Sequence, residues 1–501
     1  SNSTSDWRYV KADWGVNTVA CKLTKVSANR WQLTIKGGPR AFYGVPENES
    51  IEYLAFVFRS ADGSKELKDM GNDILVYVKN NLTRRPLGAT HGVTVSGNSA
   101  TFVLYAPGKN SVHLLGDFNN YASTSESLMK KDGNYFWKSI DNLRMGVEYG
   151  YQYLVDGSIR IGDPYAEKVL DPWNDKYISS SVYPNLKSYP SQASEIVSVF
   201  ELMPEKYPWS VTNFDRPAKN SLAIYEMLFR DFTTEGSVKA AIEKLDYLDK
   251  LGINAIELMP IQEFDGNDSW GYNPCFYSAP DKAYGTKEDY QRFVDECHKR
   301  GIAVILDVVI NHATGQFPYA KMWWNSSNNC TTSNNPFFNV YAPHPFSVYH
   351  DFNHEYSETR TYFKRMLKYW LEEYKIDGFR FDLVGLIDTK TIQEIIRTVH
   401  KTHPDVIFYG EGWTLGTAVS KDGYTMATQA NSGKTPGFAY FSDTIRDGLR
   451  GSVFEATQPG FMVGAKGRDQ RIANCLQAIS EAEVDGITVI WSTKQDSGNK
   501  I

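Results

Sequence analysis

Two carboxylates stand at the ends of two short apolar segments. Asp382 ends residues 378–382 (Gly-Phe-Arg-Phe-Asp), and Glu411 follows Tyr409 and Gly410. A helical pattern separates the segments, so we expect a βαβ unit in which the two strands are parallel and adjacent. Neighbouring strands lie about 4.8 Å apart. The two side chains could therefore face each other across roughly 5 Å, the gap that retaining cleavage of a glycosidic bond requires.

Three ordered motifs give the chain a family resemblance. They are residues 307–312 (DVVINH), 378–382 (GFRFD) and 410–413 (GEGW), and each stands at the end of a predicted strand. Together they resemble the motifs of the α-amylase superfamily, glycoside hydrolase family 13. The resemblance extends over residues 220–450, with an accessory module near 90–185, and it is poor in the last residues.

The resemblance implies a role for each residue of the second and third motifs. Asp382 matches the nucleophile, and Glu411 matches the group that acts first as acid and then as base. Arg380 shares a strand face with Asp382, so it is expected to keep Asp382 ionised and to lower its pKa. Glu411 lies between two glycines and beside Trp413. We expect this less solvated setting to raise the Glu411 pKa.

The first motif implies three further roles. By the family pattern, Asp307 supports the arginine, His312 contacts the sugar at the cleaved position, and Asn311 helps to hold calcium. Calcium needs several oxygen ligands, and the others cannot be assigned from the sequence. The alternative for all these charged residues is a structural ion-pair cluster at the mouth of a barrel.

Two more residues are assigned by the resemblance. Tyr272, within residues 270–274 (WGYNP), matches a tyrosine that stacks on the same sugar. Asp496 stands where the family has its third acid, but Gln495 replaces the histidine that precedes this acid. Asp496 is thus either the stabiliser of the transition state or an unrelated residue of the tail.

From about residue 219 the chain alternates strand and helix patterns, which predicts a parallel sheet covered by helices. Ser237 is predicted to cap a helix that Gly252 ends, and Thr286 to cap the next. Residues of chemical interest stand at the strand ends, which indicates a (β/α)8-type barrel of the α/β class. Seven strands are expected: Leu222–Met227, Ala255–Pro260, Ala303–Val309, Ile376–Leu383, Val406–Tyr409, Gly437–Phe441 and Ile487–Trp491.

This barrel is expected to be incomplete at its C-terminal end. After the seventh strand, the residues up to Ile501 leave no room for a further helix and strand. An open parallel edge exposes unpaired backbone groups, so lower stability than that of a closed barrel is expected. The alternatives are a truncated chain, a different mode of closure, or a second molecule that supplies the missing wall.

The predicted organisation has two small β-sandwich domains in front of the barrel. Short strands separated by turn residues indicate the first sandwich, and residues 111–121 with their flanking strands resemble a family 48 carbohydrate-binding module. A tryptophan usual in that module is Tyr121 here. The domains are residues 1–87 (sandwich, beginning with a strand at 17–23), 88–185 (module), 186–218 (linker) and 219–501 (barrel, with a small inserted domain at about 313–357).

Composition narrows the range of partners. The net charge of −6 argues against a nucleic-acid surface, and no apolar run reaches the ~18 residues of a membrane span. Aromatic residues make up 14% of the chain, which suits either core packing or stacking on sugars. Five scattered cysteines without a CxxC motif argue against structural zinc and favour free thiols. No signal peptide is seen, yet an extracellular, periplasmic or cell-surface location is expected for an enzyme of this type.

The sequence leaves two types of glycosidic bond as candidates for cleavage. The first half of the barrel is similar to bacterial α-amylases, which act on α-1,4 links. Residues 382–388, 409–413 and 436–441 are more similar to type I pullulanases, which cut α-1,6 branches. We therefore expect a retaining hydrolase of starch, glycogen or pullulan, with debranching slightly favoured. An α-1,4 amylase and a non-catalytic starch-binding protein are the alternatives.

Overall fold

The chain divides into two compact units. The first comprises Ser1–Asp171 with Ser188–Glu205, and the second comprises Pro172–Lys187 with Lys206–Ile501. A computed structural model describes residues 7–46, 49, 51, 53–68, 73–77, 84–415, 420–421, 424–455 and 457–464.

The N-terminal stretch of the first unit is built from short antiparallel strand pairs. The predicted strand at 17–23 is wrong, because Val19–Cys21 forms a 3-10 turn and Val19 is exposed. An alternating pattern alone does not supply a partner strand, and no described strand pairs with this stretch. The pairs are Thr24–Ser27 with Arg30–Gln32, Tyr53–Phe56 with Ile74–Tyr77, and Phe58–Arg59 with Glu66–Leu67, and a short helix spans Gly38–Tyr43.

The rest of the first unit consists of two antiparallel sheets. Phe102 of one sheet makes edge contacts with Tyr151 and Phe200 of the other, at ring-centroid distances of 4.9 and 5.2 Å. The predicted linker contributes a strand, Val197–Glu201, to the second sheet. In sheet order the strands are Lys130–Asp132, Tyr135–Ile140, Ser99–Tyr105 and Gly92–Ser96, then Ile159–Ile161, Glu148–Val155, Val197–Glu201 and Val169–Leu170, with Val112–Gly116 also paired to Glu148–Val155.

The second unit is organised around a six-stranded parallel sheet. Each neighbouring pair is parallel, as the alternating pattern predicts. An α-helix lies in each connection from β1 to β5, whereas the connection from β5 to β6 has the 3-10 helix Gln429–Lys434. The seventh predicted strand, Ile487–Trp491, lies outside the described residues. In chain and sheet order the strands are β1 (Ile224–Met227), β2 (Ala255–Leu258), β3 (Ala303–Val308), β4 (Gly378–Phe381), β5 (Ile407–Gly410) and β6 (Ala439–Tyr440). This curled sheet agrees with an incomplete (β/α)8 barrel.

Side-chain caps fix where several helices begin. Ser237 accepts a hydrogen bond from the Ala240 amide, and Thr286 forms a capping box with Asp289. The helix predicted from Ser237 to Gly252 is two shorter helices. The helices are Phe229–Phe232, Val238–Ile242, Leu245–Lys250, α1 (Lys287–Lys299), Pro318–Lys321, α2 (Ser357–Glu373), α3 (Thr389–His400) and Asp443–Leu449.

The segment inserted after β3 returns to the strand end that it leaves. His350–Asp351 pairs with His312–Ala313 in an antiparallel register. The remaining short pairs of this unit are Gln262–Phe264 with Pro274–Pro280, Trp324–Asn325 with Cys330–Thr331, and Ser420–Lys421 with Tyr424–Thr425.

Cys21, Cys275, Cys297 and Cys330 are free thiols, as predicted for these four, and Cys475 lies outside the described residues. Among the described helices, none has both the length and the apolar character that a membrane crossing requires.

Candidate active site

One guanidinium group gathers the acidic residues at the ends of β2 to β5. Arg380 of β4 places Nη1 2.8 Å from Asp307 Oδ2 and 3.1 Å from Asp382 Oδ1. Its Nη2 lies 2.8 Å from Glu411 Oε1, and its Nε lies 3.6 Å from Glu257 Oε1. The strand register explains this convergence, because Asp307 pairs with Arg380 across β3 and β4. Four carboxylates therefore surround a single cation.

Asp382 is buried at the end of β4. Its pKa is raised because burial penalises the charged form, and hydrogen bonds from Arg380 and Asn311 offset only part of that rise. The expectation that Arg380 gives Asp382 a lowered pKa is therefore wrong, since desolvation outweighs the ion pair. A side-chain hydrogen bond with Glu411 also acts on Asp382. The two carboxyl groups thus influence each other's ionisation, and both contact the same guanidinium.

Glu411 directly follows β5, and its backbone continues the sheet pairing. The Glu411 amide donates to the carbonyl of Phe381 over 3.1 Å, and the Glu411 carbonyl accepts from Gly385 over 3.1 Å. Burial raises the pKa of Glu411, and the negative charge of Asp382 raises it further, against the opposing effect of Arg380. The direction agrees with the sequence-based expectation. A group with a raised pKa keeps its proton closer to neutral pH, which suits a general acid.

Glu257 of β2 is a member of the cluster that motif reading missed. It is buried, accepts a hydrogen bond from the Tyr409 hydroxyl, and has a pKa raised by desolvation to about 7. Its only sequence signal is an acidic residue inside an apolar strand, and a charge in such a position must find a partner. Here the partners are Tyr409 and the Nε edge of Arg380.

Tyr272 and His312 are held together beside Asp307. The Tyr272 hydroxyl donates to Asp307 Oδ2 over 2.8 Å, and His312 Nε2 lies 2.8 Å from the Tyr272 carbonyl oxygen. Burial lowers the pKa of His312 to about 4, so this imidazole is neutral near pH 7. Its ring stacks against Tyr349 with a centroid distance of 5.5 Å. Both residues predicted to meet the sugar thus adjoin the carboxylate cluster.

Asn311 supports Asp382, and only one of its atoms is suited to a cation. Its Nδ2 donates to the Asp382 carbonyl over 3.1 Å and lies 3.5 Å from Asp382 Oδ2. Its Oδ1 is buried and has no hydrogen-bond partner among the described residues. Within that same part of the chain, no three His, Cys, Asp or Glu residues form a group that could hold a metal. One amide oxygen does not make the oxygen cage that calcium prefers.

Trp413 and Asp496 are the other two predicted site residues. Trp413 stacks against Phe441 at a centroid distance of 6.3 Å, and Phe441 in turn lies under the Arg380 guanidinium. Trp413 therefore borders the cluster. Asp496, the third predicted acid, lies outside the described residues. The structure brings together Asp382, Glu411, Arg380, Asp307, Tyr272, His312 and Asn311.

Family models match two parts of the chain. The model for the α-amylase catalytic domain matches residues 207–345, and the model for carbohydrate-binding module 48, described as an isoamylase N-terminal domain, matches residues 86–174. Residues 207–345 are thus similar to an α-amylase catalytic domain. The resemblance to glycoside hydrolase family 13 and to a family 48 module is thereby confirmed. Asp382 and Glu411 lie beyond residues 207–345, so their catalytic roles stay predictions.

Curated relatives carry related names. The chain is 31% identical over 323 residues to a malto-oligosyltrehalose trehalohydrolase of Saccharolobus solfataricus, which covers 64% of this chain and 50% of the relative. It is 29% identical over 305 residues to a pullulanase of Bacillus subtilis, which covers 52% of this chain and 41% of that protein. The chain thus spans about half the length of these relatives.

Solved structures agree on the fold. The pullulanase of Paenibacillus barengoltzii, in complex with maltohexaose and α-cyclodextrin, aligns with a TM-score of 0.63 and 22% identity. The alignment covers 80% of this chain and 64% of that structure. At this identity the likeness shows the fold alone: antiparallel β sheets in the first unit and an incomplete (β/α)8 barrel in the second.

Proposed function

We propose that the protein is a retaining glycoside hydrolase that cleaves α-glucosidic linkages in starch, glycogen or pullulan. The observation that supports this most directly is the placement of Asp382 and Glu411 on the same guanidinium, at the ends of two adjacent parallel strands. Two carboxyl groups held by one side chain suit a double-displacement reaction with a covalent intermediate.

In the first half of the reaction, Asp382 attacks the anomeric carbon and the bond to the leaving oxygen breaks. Glu411 gives its proton to that oxygen, so the leaving sugar departs as a neutral alcohol. Asp382 receives hydrogen bonds from Arg380 and Asn311, whereas the charge of Asp382 raises the pKa of Glu411. In the proposed attacking state, Glu411 holds the proton and Asp382 carries the negative charge.

In the second half, Glu411 has become a carboxylate and acts as a base. It takes a proton from a water molecule, whose oxygen attacks the anomeric carbon and displaces Asp382. Two inversions at the same carbon give net retention. Arg380 keeps both carboxyl groups in place throughout, because its two terminal nitrogens contact one each.

We favour α-1,6 links as the bond that is cut. The family 48 module in front of the barrel and pullulanases among the relatives and fold neighbours support this choice. An α-1,4 amylase is the second candidate, since the matched catalytic-domain model is that of α-amylase. Incubation with pullulan beside amylose separates the two. Maltotriose from pullulan supports debranching, whereas products from amylose alone contradict it.

A non-catalytic starch-binding protein is the alternative of another class. Its support is the substitution of Gln495 for the expected histidine beside Asp496. Reducing-sugar release by the natural chain and by Asp382→Asn decides between the classes. Release that vanishes in Asp382→Asn supports the hydrolase, whereas equal release from both proteins excludes Asp382 as the nucleophile.

Calcium and cell location belong to the proposal as well. The buried Oδ1 of Asn311, an acceptor without a hydrogen-bond partner among the described residues, supports a cation there, although the other ligands are not in place. Thermal melting after chelation and after calcium is restored tests this point. A location outside the cytoplasm suits a polymeric substrate too large to cross a membrane, and fractionation of the source cells tests it.

A further inference from the structure

Tyr349 is an unusual residue at the edge of the candidate active site. Its backbone is left-handed, with φ at 43°. A bulky aromatic residue rarely adopts this strained conformation, and such strain clusters at functional sites. Its side chain is nevertheless 56% exposed. Burial of the ring therefore does not explain why a strained tyrosine occupies this position.

The position of Tyr349 is fixed by the strand pair that closes the inserted segment. It directly precedes His350–Asp351, which pairs with His312–Ala313 at the end of β3. One face of the Tyr349 ring stacks on His312, with the ring planes 24° apart. His312 is itself held by the carbonyl of Tyr272. The left-handed turn thus places the ring against a site residue, while more than half of Tyr349 stays exposed to solvent.

We propose that Tyr349 is a substrate-binding residue whose exposed ring face stacks on a glucose unit next to the one that is cleaved. A pyranose ring has an apolar face of C–H groups, and an aromatic ring in a fixed orientation binds such a face at a low cost in conformational entropy. This inference rests on the proposed function, because it takes the α-glucan chain to pass beside His312.

The test uses a substitution that separates strain from binding. Tyr349→Gly removes the ring and suits the left-handed backbone, since glycine has no Cβ. A purely structural role predicts unchanged affinity for sugar. The proposal predicts an unchanged or higher melting temperature together with weaker binding of maltoheptaose. Loss of one aromatic contact worth about 0.5–1.5 kcal/mol corresponds to a Kd raised roughly two- to tenfold.

Binding is measured by calorimetry in an Asp382→Asn background, so that the oligosaccharide stays intact. Tyr349→Phe keeps the ring face and should restore the parental Kd. Tyr341→Gly is the matched control, because Tyr341 lies in the same inserted segment and is 83% exposed; it should leave the Kd unchanged. An unchanged Kd in Tyr349→Gly, or an equal loss in Tyr349→Phe, overturns the inference.

Kinetics of the natural chain and of Tyr349→Gly complete the design. We expect KM for maltoheptaose to rise roughly two- to tenfold while kcat stays within about twofold, because uniform binding is lost and the carboxylates are untouched. Failure of the proposed function has a different signature. If the natural chain releases no sugar, the proposed hydrolase function is refuted. If Tyr349→Gly still binds maltoheptaose more weakly than the natural chain does, the binding role of Tyr349 is retained.

Discussion

Arg380 and Glu411 form an ion pair between two neighbouring strands, with Nη2 2.8 Å from Oε1. The same guanidinium contacts Asp382 through Nη1. The distance between the proposed acid and the proposed nucleophile is thus set by one side chain from a buried strand. Charge-assisted contacts of this kind are short and directional, and a lysine cannot reproduce the planar two-pronged geometry.

Substitution of Arg380 by lysine should therefore reduce kcat far more than it raises KM. We expect a loss of at least about 100-fold, comparable to the removal of one preorganised donor. The measurement is steady-state release of reducing sugar from soluble starch and from pullulan. Arg397→Lys, on the exposed side of α3, is the matched control and should behave like the natural chain. Comparable rates for both variants would show that Arg380 does not organise the two carboxylates.

Glu411→Gln should divide the reaction into its two halves. Without an acid, attack on a glucan slows by about 10²–10⁴-fold. A maltosyl fluoride needs no proton on its leaving group, so it should still load Asp382. Without the base of the second half, the covalent glycosyl-enzyme should then accumulate, and intact-protein mass spectrometry would detect one added maltosyl group.

Asp382→Asn is the control for that experiment, since it lacks the nucleophile and should gain no mass. An adduct on Asp382→Asn would place the covalent bond on another residue. Rapid turnover of the fluoride by Glu411→Gln, without an adduct, would assign the base to another group.

Glu257 should make the stability of the protein depend on pH. Its pKa rises from 4.5 to about 7 on burial. The folded state then binds more protons than the unfolded state between these values, so stability falls as pH rises through this range. At about 1.36 kcal/mol per unit, the contribution is about 3 kcal/mol. Urea denaturation at pH 5 and pH 8 should show a smaller difference in unfolding free energy for Glu257→Gln than for the natural chain.

Exposed Glu243 provides the matched control for this titration. Glu243→Gln should keep the pH dependence of the natural chain. If Glu257→Gln keeps it as well, Glu257 stays ionised in the folded protein and the effect of Arg380 on its pKa exceeds that of burial.

Some residues of this site could be predicted from the sequence and others could not, for physical reasons. Asp382, Glu411 and Arg380 could be found because a βαβ unit places consecutive strand ends side by side. Glu257 could not, because its strand shows only a charge inside an apolar run and its partner Tyr409 is 152 positions away. The predicted direction of the Asp382 pKa shift was wrong, because the sequence shows the arginine but not the depth of burial.

The elements of the fold likewise include some that the sequence predicted correctly and some that it did not. Parallel strands β1 to β6 followed from alternation and from caps such as Ser237 and Thr286, which act locally. The strand predicted at 17–23 was wrong, because an alternating apolar and polar pattern describes one strand, whereas a sheet requires two. Val197–Glu201 was predicted to be part of the linker, although it is a strand. Its partner Glu148–Val155 is remote in the sequence, so the local pattern did not indicate the pairing.

The final prediction concerns Asp377, which supports the sheet from below the site. It is fully buried, and its carboxylate accepts hydrogen bonds from Arg216 Nε, His298 Nε2 and the Val304 amide, each over 2.8 Å. Asp377→Ala leaves these donors unpaired in a low-dielectric interior. We expect it to destabilise the protein by about 3–5 kcal/mol, as measured by equilibrium urea denaturation.

Asp249→Ala is the control for this substitution, because Asp249 is an exposed residue on the helix Leu245–Lys250. It should change the unfolding free energy by no more than about 0.5 kcal/mol. Equal stability of the two variants would mean that water replaces the Asp377 carboxylate at no cost, and that this buried network does not hold β3 and β4 together.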